Sequence, residues 1–355
     1  MEPFGAQPAG GMGADVLATV RFATHRFGDV RMGAVVRKLR VAAVQAVSRD
    51  GEIARNLAHA DPLVARAAGE GAELVLLPEL YSTGFRMTRD IWRAAEPSNG
   101  PTAQWLCETA QKHGIWIGTS FLEAAEGDLY NSFLLTAPSG APAGRVRKSR
   151  PAAPEAYFYK AGDDPHVIET PLGRIGVSIC YEQMLAEVVR GLHAARIDLL
   201  LMPHSAPRPT AQRGFSERDV ERLLEVIRLG PPWLAKTLGV PSVMANKAGP
   251  WKSPLPFIFP SEDTAFCGLS GIFDAEGTTL TRLGEMEGIA LHDVVLDPAR
   301  QRPALPAMPG HWSRPVPWFA TLWRGVEWLG SLNYRLSRER RKAAKEVHLA
   351  SCSGL

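Results

Sequence analysis

The chain has 355 residues, 45% of them hydrophobic and 22% charged, and its 40 basic and 37 acidic residues leave a formal net charge of +3. This is the composition of an ordinary globular protein, and so small a charge argues against nucleic-acid binding. The four cysteines are far apart and form no Cys-x-x-Cys pair, no apolar run is long enough to span a bilayer, and no signal-peptide pattern opens the chain, so we expect a cytoplasmic protein.

The first segment, residues 1–38, is rich in Gly, Ala and Arg and has no sustained hydrophobic periodicity. We predict a flexible N-terminal extension there. The alternative is that translation naturally begins at Met32, and the sequence does not distinguish the two. A catalytic domain is expected to follow over residues 39–300.

Regular elements begin at Leu39, where a buried strand, an amphipathic helix and a second buried strand follow one another and predict a βαβ unit. Further strands and helices alternate to residue 297, with turn signals at Pro138-Ser139-Gly140 and at Glu276-Gly277 that predict hairpins. The predicted helices cover 52–71, 102–113, 184–195 and 215–238, and the predicted strands cover 39–46, 72–80, 115–122, 174–179, 198–203, 240–247 and 288–296. This alternation indicates a layered α/β domain.

The last segment, residues 301–355, differs in composition because four tryptophans fall between Trp312 and Trp328 and a basic stretch follows. Five apolar side chains lie at helical spacing on one face: Phe319, Leu322, Trp323, Val326 and Leu329. Such a face usually buries against protein, so we predict that this Trp-rich amphipathic and basic extension packs on the domain or on a second subunit. Weak contact with a membrane surface is the alternative.

Three polar residues end predicted core strands. Glu79 follows the apolar run "LVLLP", Lys148 ends the hairpin arm "GRVRK", and Cys180 ends the strand "IGVSI". Each alone has an ordinary structural explanation, because a free cysteine is usually a small buried hydrophobe. All three together favour a reactive site, since strand ends expose side chains at the edge of a sheet.

The three residue types complete an acyl-transfer site. A cysteine thiol needs help to ionise, and a carboxylate can accept its proton and later pass that proton to a leaving amine. A lysine ammonium and a backbone N–H can stabilise the oxyanion that forms when the sulfur attacks a carbonyl carbon.

The order of the motifs resembles that of the nitrilase, or carbon-nitrogen hydrolase, superfamily. "LVLLPEL" is similar to the motif of the family's general base, "YNSFLLTAPSG" with "GRVRK" to its lysine hairpin, and "GRIGVSICYE" to its nucleophile motif. "KSRPAAPEAYFYKAG" resembles the segment that carries a second glutamate, and "VPSVMANKAG" and "FCGLSGIFDAEG" resemble later segments. The resemblance covers residues 39–297 and leaves both ends unmatched.

This resemblance implies a four-layer α-β-β-α sandwich with a catalytic set of Glu79, Lys148 and Cys180. It also implies that Glu155 holds Lys148 in place and assists proton transfer, and that Tyr181 donates its backbone N–H to the oxyanion. The implied reaction requires no metal or organic cofactor, and the sequence has no metal-ligand motif or phosphate loop.

The resemblance does not determine which branch of the family, and hence which substrate class, the chain represents. The sequence Cys180-Tyr181-Glu182 matches the amidase and nitrilase patterns only in part, and it is the triplet of the family's N-acyltransferases. We expect hydrolysis of a small-molecule amide or carbamoyl group first, nitrile hydrolysis second, and N-acyl transfer last, since the chain lacks transmembrane helices. Tyr181, Glu182, His204 and Ser205 are the predicted substrate-binding residues. The apolar, Pro-rich stretch 251–260 is a candidate cover for the site.

Two further expectations concern the whole chain. The family's habit of pairing through outer helices implies a homodimer or larger assembly. A different class of function is a catalytically inactive scaffold in which the Trp-rich extension does the physiological work. The charged set at residues 79, 148, 155 and 180 argues against it, because buried charges are costly without a use.

Overall fold

The computed structural model describes residues 35–211, 215–256, 261–307, 310–313 and 319–353. The predicted N-terminal extension lies outside the described residues up to residue 34, and so does Met32.

One sheet is built around the parallel strands predicted near the start of the chain. Within the described residues it has seven strands: β1 (Arg37–Gln45), β2 (Leu74–Leu76), β3 (Glu96–Pro97), β4 (Trp116–Ala125), β5 (Asp128–Thr136), β6 (Pro142–Arg147) and β15 (Gly288–Leu296). Their order is β15-β1-β2-β4-β5-β6, with β3 paired to β4. The strands β1, β2 and β4 are parallel, whereas β15, β5 and β6 join as antiparallel neighbours.

The second sheet has six described strands: β7 (Val167–Thr170), β8 (Gly173–Val177), β9 (Leu199–Pro203), β10 (Ser242–Ala245), β13 (Gly271–Phe273) and β14 (Thr279–Arg282). Their order is β14-β13-β10-β9-β8-β7. The centre of the sheet is parallel, because β8, β9 and β10 run in the same direction. A separate hairpin pairs β11 (Pro250–Ser253) with β12 (Glu262–Ala265).

The two sheets pack face to face through an apolar layer to which β1, β2, β5, β6 and β15 of one sheet and β7 to β10 and β13 of the other contribute. Helices α1 (Ile53–Gly69) and α2 (Pro101–His113) cover the outer face of the first sheet. Helices α3 (Ala186–Ala194) and α4 (Glu217–Leu238) cover the outer face of the second. The predicted four-layer α-β-β-α sandwich is therefore confirmed.

Several predicted boundaries differ from the observed ones. The strand predicted over 72–80 is only β2, because the chain leaves the sheet before Glu79. The strand predicted over 174–179 ends at Val177, and Cys180 begins a 3-10 helix, Cys180–Met184. The strands β3, β7, β11 and β12 were not predicted, since each is four residues or shorter and shows no clear alternation.

The C-terminal segment forms helices α5 (Phe319–Leu336) and α6 (Arg338–Ser353). Within the predicted apolar face, Val326 is buried and Trp323 is partly buried against the domain, whereas Leu322 and Leu329 are exposed. The face that packs inward is thus rotated from the predicted one and includes Gly330 and Tyr334. Across the described residues, no helix has the length and apolar character that crossing a membrane requires.

Candidate active site

The residues predicted for catalysis follow strands of both sheets. Glu79 lies in the loop after β2, Lys148 comes directly after β6, and Cys180 follows β8. Glu155 lies in a 3-10 helix, Ala153–Tyr157. Because the two sheets face each other, the ends of strands that are far apart in sequence meet at one place.

Lys148 lies between two carboxylates. Its Nζ donates to Glu79 Oε1 at 2.8 Å and to Glu155 Oε1 and Oε2 at 3.1 and 2.8 Å. All three residues are buried. Burial by itself disfavours the ammonium, but the charges of Glu155 and Glu79 outweigh it and raise the pKa of Lys148 well above its usual value. Lys148 is therefore a fixed cation in this site.

Glu155 is a buried carboxylate that contacts Lys148. Burial raises its pKa to about 7, and the neighbouring Glu79 charge acts in the same direction, while Lys148 opposes them. Its Oε2 also accepts a hydrogen bond from the Ala152 backbone N–H at 3.0 Å. Glu155 thus links Lys148 to the backbone of its own turn.

Glu79 has two oxygens with different surroundings. Oε1 accepts hydrogen bonds from Lys148 and from Asn131 Nδ2, the latter at 2.7 Å, whereas Oε2 is buried and has no hydrogen-bond partner among the described residues. Asn131 was not predicted as a site residue. A polar amide inside the buried strand "LYNSFLL" was the available signal, because buried amides require partners.

Cys180 is the first residue of its 3-10 helix and has the positive backbone angle φ 51°. A non-glycine residue in this conformation is strained, and such strain is common at functional sites. The residue is partly exposed. Burial of the sulfur and the Glu79 charge raise the pKa of the thiol well above its usual value, although Lys148 and the Ser205 backbone N–H favour the thiolate. The resting thiol is therefore protonated at neutral pH.

His204 and Ser205 follow β9 and contact the backbone of the other site residues. Burial lowers the pKa of His204 to about 4, so the ring is neutral, and its Nε2 lies 3.3 Å from the carbonyl oxygen of Cys180. The Ser205 hydroxyl donates to the carbonyl oxygen of Glu79 at 2.6 Å. These two residues thus connect the Glu79 loop to the Cys180 turn.

The side chains of Tyr181 and Glu182 lie among protein groups. The Tyr181 hydroxyl is 2.6 Å from Nε2 of His311 in the C-terminal segment, and Glu182 is fully buried with both carboxylate oxygens hydrogen-bonded. The structure therefore brings Glu79, Lys148 and Glu155 into direct contact, with Cys180 within electrostatic range of all three. It directs the Tyr181 and Glu182 side chains into other contacts.

Phe85, Trp251 and Phe266 form an aromatic group beside Lys247. Trp251 donates its indole N–H to the carbonyl oxygen of Phe85 at 2.6 Å, and both rings pack with Phe266. Trp251 belongs to the stretch predicted to cover the site, of which residues 257–260 lie outside the described residues. Among the described residues, no group of three or more His, Cys, Asp or Glu side chains has the arrangement of a metal site.

Comparisons with known proteins agree with this architecture. An amidase from Nesterenkonia sp. AN1, solved as a mutant with acrylamide added to its active-site cysteine, superposes with a TM-score of 0.58 at 22% identity, over 73% of this chain and 92% of that one. This likeness supports the fold.

Proteins of similar sequence provide a second comparison. N-carbamoylputrescine amidase from Solanum lycopersicum is 28% identical over 264 residues, which are 72% of this chain and 85% of that protein. A nitrilase from Pyrococcus abyssi is 29% identical over 217 residues, which are 59% of this chain and 82% of that protein. The family model described as carbon-nitrogen hydrolase matches residues 40–304, and the chain therefore belongs to the carbon-nitrogen hydrolase family.

Proposed function

We propose that the chain hydrolyses an amide or carbamoyl carbon–nitrogen bond through a thioester on Cys180. The observation that carries this proposal is that the two carboxylate oxygens of Glu79 have different surroundings. Its Oε1 is held by Lys148 at 2.8 Å, while its Oε2 has no hydrogen-bond partner among the described residues. A carboxylate fixed through one oxygen, with the other available near a protonated thiol, suits a general base.

In the first half of the proposed reaction, Glu79 Oε2 accepts the thiol proton as the sulfur of Cys180 attacks the carbonyl carbon. Lys148 and the Tyr181 backbone N–H stabilise the tetrahedral oxyanion. The oxyanion then collapses and the carbon–nitrogen bond breaks. The proton on Glu79 passes to the nitrogen, so ammonia or an amine leaves and the acyl group stays on sulfur as a thioester.

In the second half, Glu79 accepts a proton from water as the water oxygen attacks the thioester carbon. The second tetrahedral intermediate collapses, the carbon–sulfur bond breaks, and the thiolate takes the proton back from Glu79. One water is consumed. An amide substrate releases a carboxylic acid, and an N-carbamoyl substrate releases a carbamic acid, which loses carbon dioxide to give the amine. Glu155 keeps Lys148 in place throughout, and His204 and Ser205 hold the Cys180 turn and the Glu79 loop together.

Amide or carbamoyl hydrolysis is placed first because relatives named as amidases align over most of their own length. Nitrile hydrolysis is the second candidate, since a relative named as a nitrilase aligns comparably. A panel of primary amides, N-carbamoyl compounds and nitriles, assayed for ammonia release, separates the two. In each case the substrate is a small molecule.

Replacement of the nucleophile tests the mechanism. We expect Cys180→Ala to lower kcat by a factor of about a thousand or more and to eliminate the acyl-enzyme adduct that intact-mass spectrometry detects in the parent protein. Cys107→Ala is the matched control, because Cys107 lies on α2, outside the site. Turnover that survives Cys180→Ala would remove the mechanism.

Alkylation separates an enzyme from an inactive scaffold without any knowledge of the substrate. We expect iodoacetamide to react selectively with Cys180, because the residue is partly exposed and Glu79 can accept the thiol proton as the sulfur attacks, and slowly with Cys267, which is buried. Equal inertness of every cysteine would favour the scaffold.

A further inference from the structure

Glu182 is a buried carboxylate whose hydrogen bonds join two parts of the site. Its Oε1 accepts from the Ser149 backbone N–H at 2.6 Å, from the Ser149 hydroxyl at 2.7 Å, and lies 2.9 Å from His166 Nε2. Its Oε2 accepts from the Ile179 backbone N–H at 2.8 Å. The side chain has no exposed surface, and protein groups contact both of its carboxylate oxygens.

The partners of Glu182 are the neighbours of the reactive residues. Ser149 directly follows Lys148, and Ile179 directly precedes Cys180. One carboxylate therefore ties the segment that carries the lysine to the turn that carries the nucleophile, although these segments follow β6 and β8, which belong to different sheets. A displacement of either segment would be transmitted to the other through hydrogen bonds to a charged acceptor, which are the stronger kind.

The hydrogen bonds of Glu182 lie next to the strained backbone of Cys180. A cysteine with φ 51° keeps that conformation only when its surroundings enforce it. Glu182 accepts from the N–H of the residue immediately before the strained one. The Ile179–Glu182 hydrogen bond thus closes the turn from within, and the Ser149 bonds anchor it to the lysine segment.

His166 supplies the charge that keeps Glu182 ionised. Burial alone would raise the pKa of Glu182, but the His166 charge and the hydrogen bonds from His166, Ser149 and Ile179 lower it. Burial alone would likewise lower the pKa of His166, but Glu182, together with the charges of Asp164 and Glu187, raises it. Asp164 also forms an ion pair with Arg145. At mildly acidic pH the two side chains therefore form an ion pair, in which Glu182 is buried and His166 is partly exposed.

We propose that Glu182 is a positioning residue that holds the Cys180 turn against the Lys148 segment, and that His166 sets the strength of this hold. The inference rests on the proposed function for the role of Cys180. It replaces the substrate contact expected of Glu182 from the sequence.

Replacement of Glu182 by an isosteric amide tests the proposal. Gln keeps the size but offers only one acceptor oxygen, so an NH₂ group must face an N–H donor. We expect Glu182→Gln to lower kcat by about tenfold or more with KM changed by less than about threefold, because the loss falls on the reacting geometry. The rate of iodoacetamide alkylation of Cys180 should fall in parallel. Glu169→Gln is the matched control, since Glu169 is exposed on β7.

Two milder substitutions, Ser149→Ala and His166→Gln, test the same hydrogen bonds if Glu182→Gln does not fold. Ser149→Ala removes one hydrogen bond to Oε1, and His166→Gln keeps a donor but removes the charge. We expect each to lower kcat by about threefold to tenfold. The parent protein should lose its advantage over His166→Gln as the pH rises through the raised pKa of His166, because the parent then loses that charge too.

The outcomes separate the two proposals. A folded Glu182→Gln protein with kcat and alkylation rate within about twofold of the control would overturn the positioning role. An unfolded Glu182→Gln protein with unaffected Ser149→Ala and His166→Gln variants would overturn it as well. Alkylation of Cys180 needs no substrate, so it reports on positioning even if Cys180→Ala shows that the proposed reaction is wrong.

Discussion

Two fully buried lysines, Lys148 and Lys247, have opposite electrostatic surroundings. Lys148 touches two carboxylates. Lys247 donates instead to the carbonyl oxygen of Leu80 at 3.0 Å and faces the rings of Phe85 and Phe266 at 6.0 and 5.6 Å from their centroids. Burial lowers the pKa of Lys247 to about 8. A carbonyl and two rings thus stabilise a cation less well than ionised partners do.

The pH dependence of stability should reveal Lys247. Its folded pKa of about 8 lies below the unfolded value, so the unfolded chain binds a proton that the folded chain has lost between about pH 8 and 10.4. The free energy of unfolding of the parent should therefore rise across this window relative to Lys247→Met, by up to about 3 kcal/mol. Urea unfolding of both proteins at several pH values measures the difference, and a difference independent of pH would contradict the shifted pKa.

The C-terminal helices contact the segments that carry the site. Helix α5 lies against the 3-10 helix of Glu155, where Gly330 allows close approach: a Cβ there would come within 2.9 Å of the Ala156 backbone. Ahead of α5, Gly310 accepts a hydrogen bond from the Ala186 N–H at 2.7 Å, just after the Cys180 turn. In α6, Arg340 forms an ion pair with Asp128. The extension is thereby joined to the catalytic domain.

Two glycines of α5 provide a matched test of this contact. Both Gly325→Ala and Gly330→Ala gain helix propensity, but a Cβ at Gly325 meets nothing within 4 Å. Gly325→Ala should therefore raise the free energy of unfolding by up to about 1 kcal/mol. Gly330→Ala should lower it by about 1 to 3 kcal/mol and reduce kcat as the Glu155 turn shifts. Equal effects of the two substitutions would mean that α5 does not pack on that turn.

At the scale of the whole molecule, the outward side of α5 is unusually apolar. Leu322, Trp328, Leu332 and Leu336 are 41%, 66%, 42% and 69% exposed. Contiguous apolar surface of this kind often marks an interaction site. The homodimer or larger assembly expected from the sequence stays a prediction, and this face is where we place it; weak membrane contact is the competing use.

A charge in the middle of this face should distinguish these uses. We expect light scattering to give an oligomeric mass for the parent and a lower mass for Trp328→Glu. Met286→Glu, at an 82% exposed position in the loop between β14 and β15, is the control and should keep the parent mass. A monomeric parent would contradict the assembly, and sedimentation of the parent but not of Trp328→Glu with anionic vesicles would favour the membrane.

Most of the long secondary-structure elements and part of the candidate site can be predicted from the local sequence pattern alone. Hydrophobic periodicity identified most of the long strands and helices, because a buried face requires apolar residues at a fixed spacing. The polar residues that end apolar runs, Glu79 and Lys148, stood out for the same reason, and the order of the motifs indicated the family. The short strands β7, β11 and β12 were not predicted, because four residues are too few to show a clear hydrophobic alternation.

Only the tertiary structure decided which partner each polar group meets. Lys148 and Glu79 are 69 residues apart in sequence, and no spacing rule indicates that Asn131 shares the same oxygen of Glu79. The sequence also left Glu182 as a substrate contact, whereas the folded chain surrounds it with Ser149, His166 and Ile179. Hydrophobic periodicity predicts whether a side chain is buried. The charged groups and hydrogen-bond partners around that side chain come from distant segments, which only folding brings together.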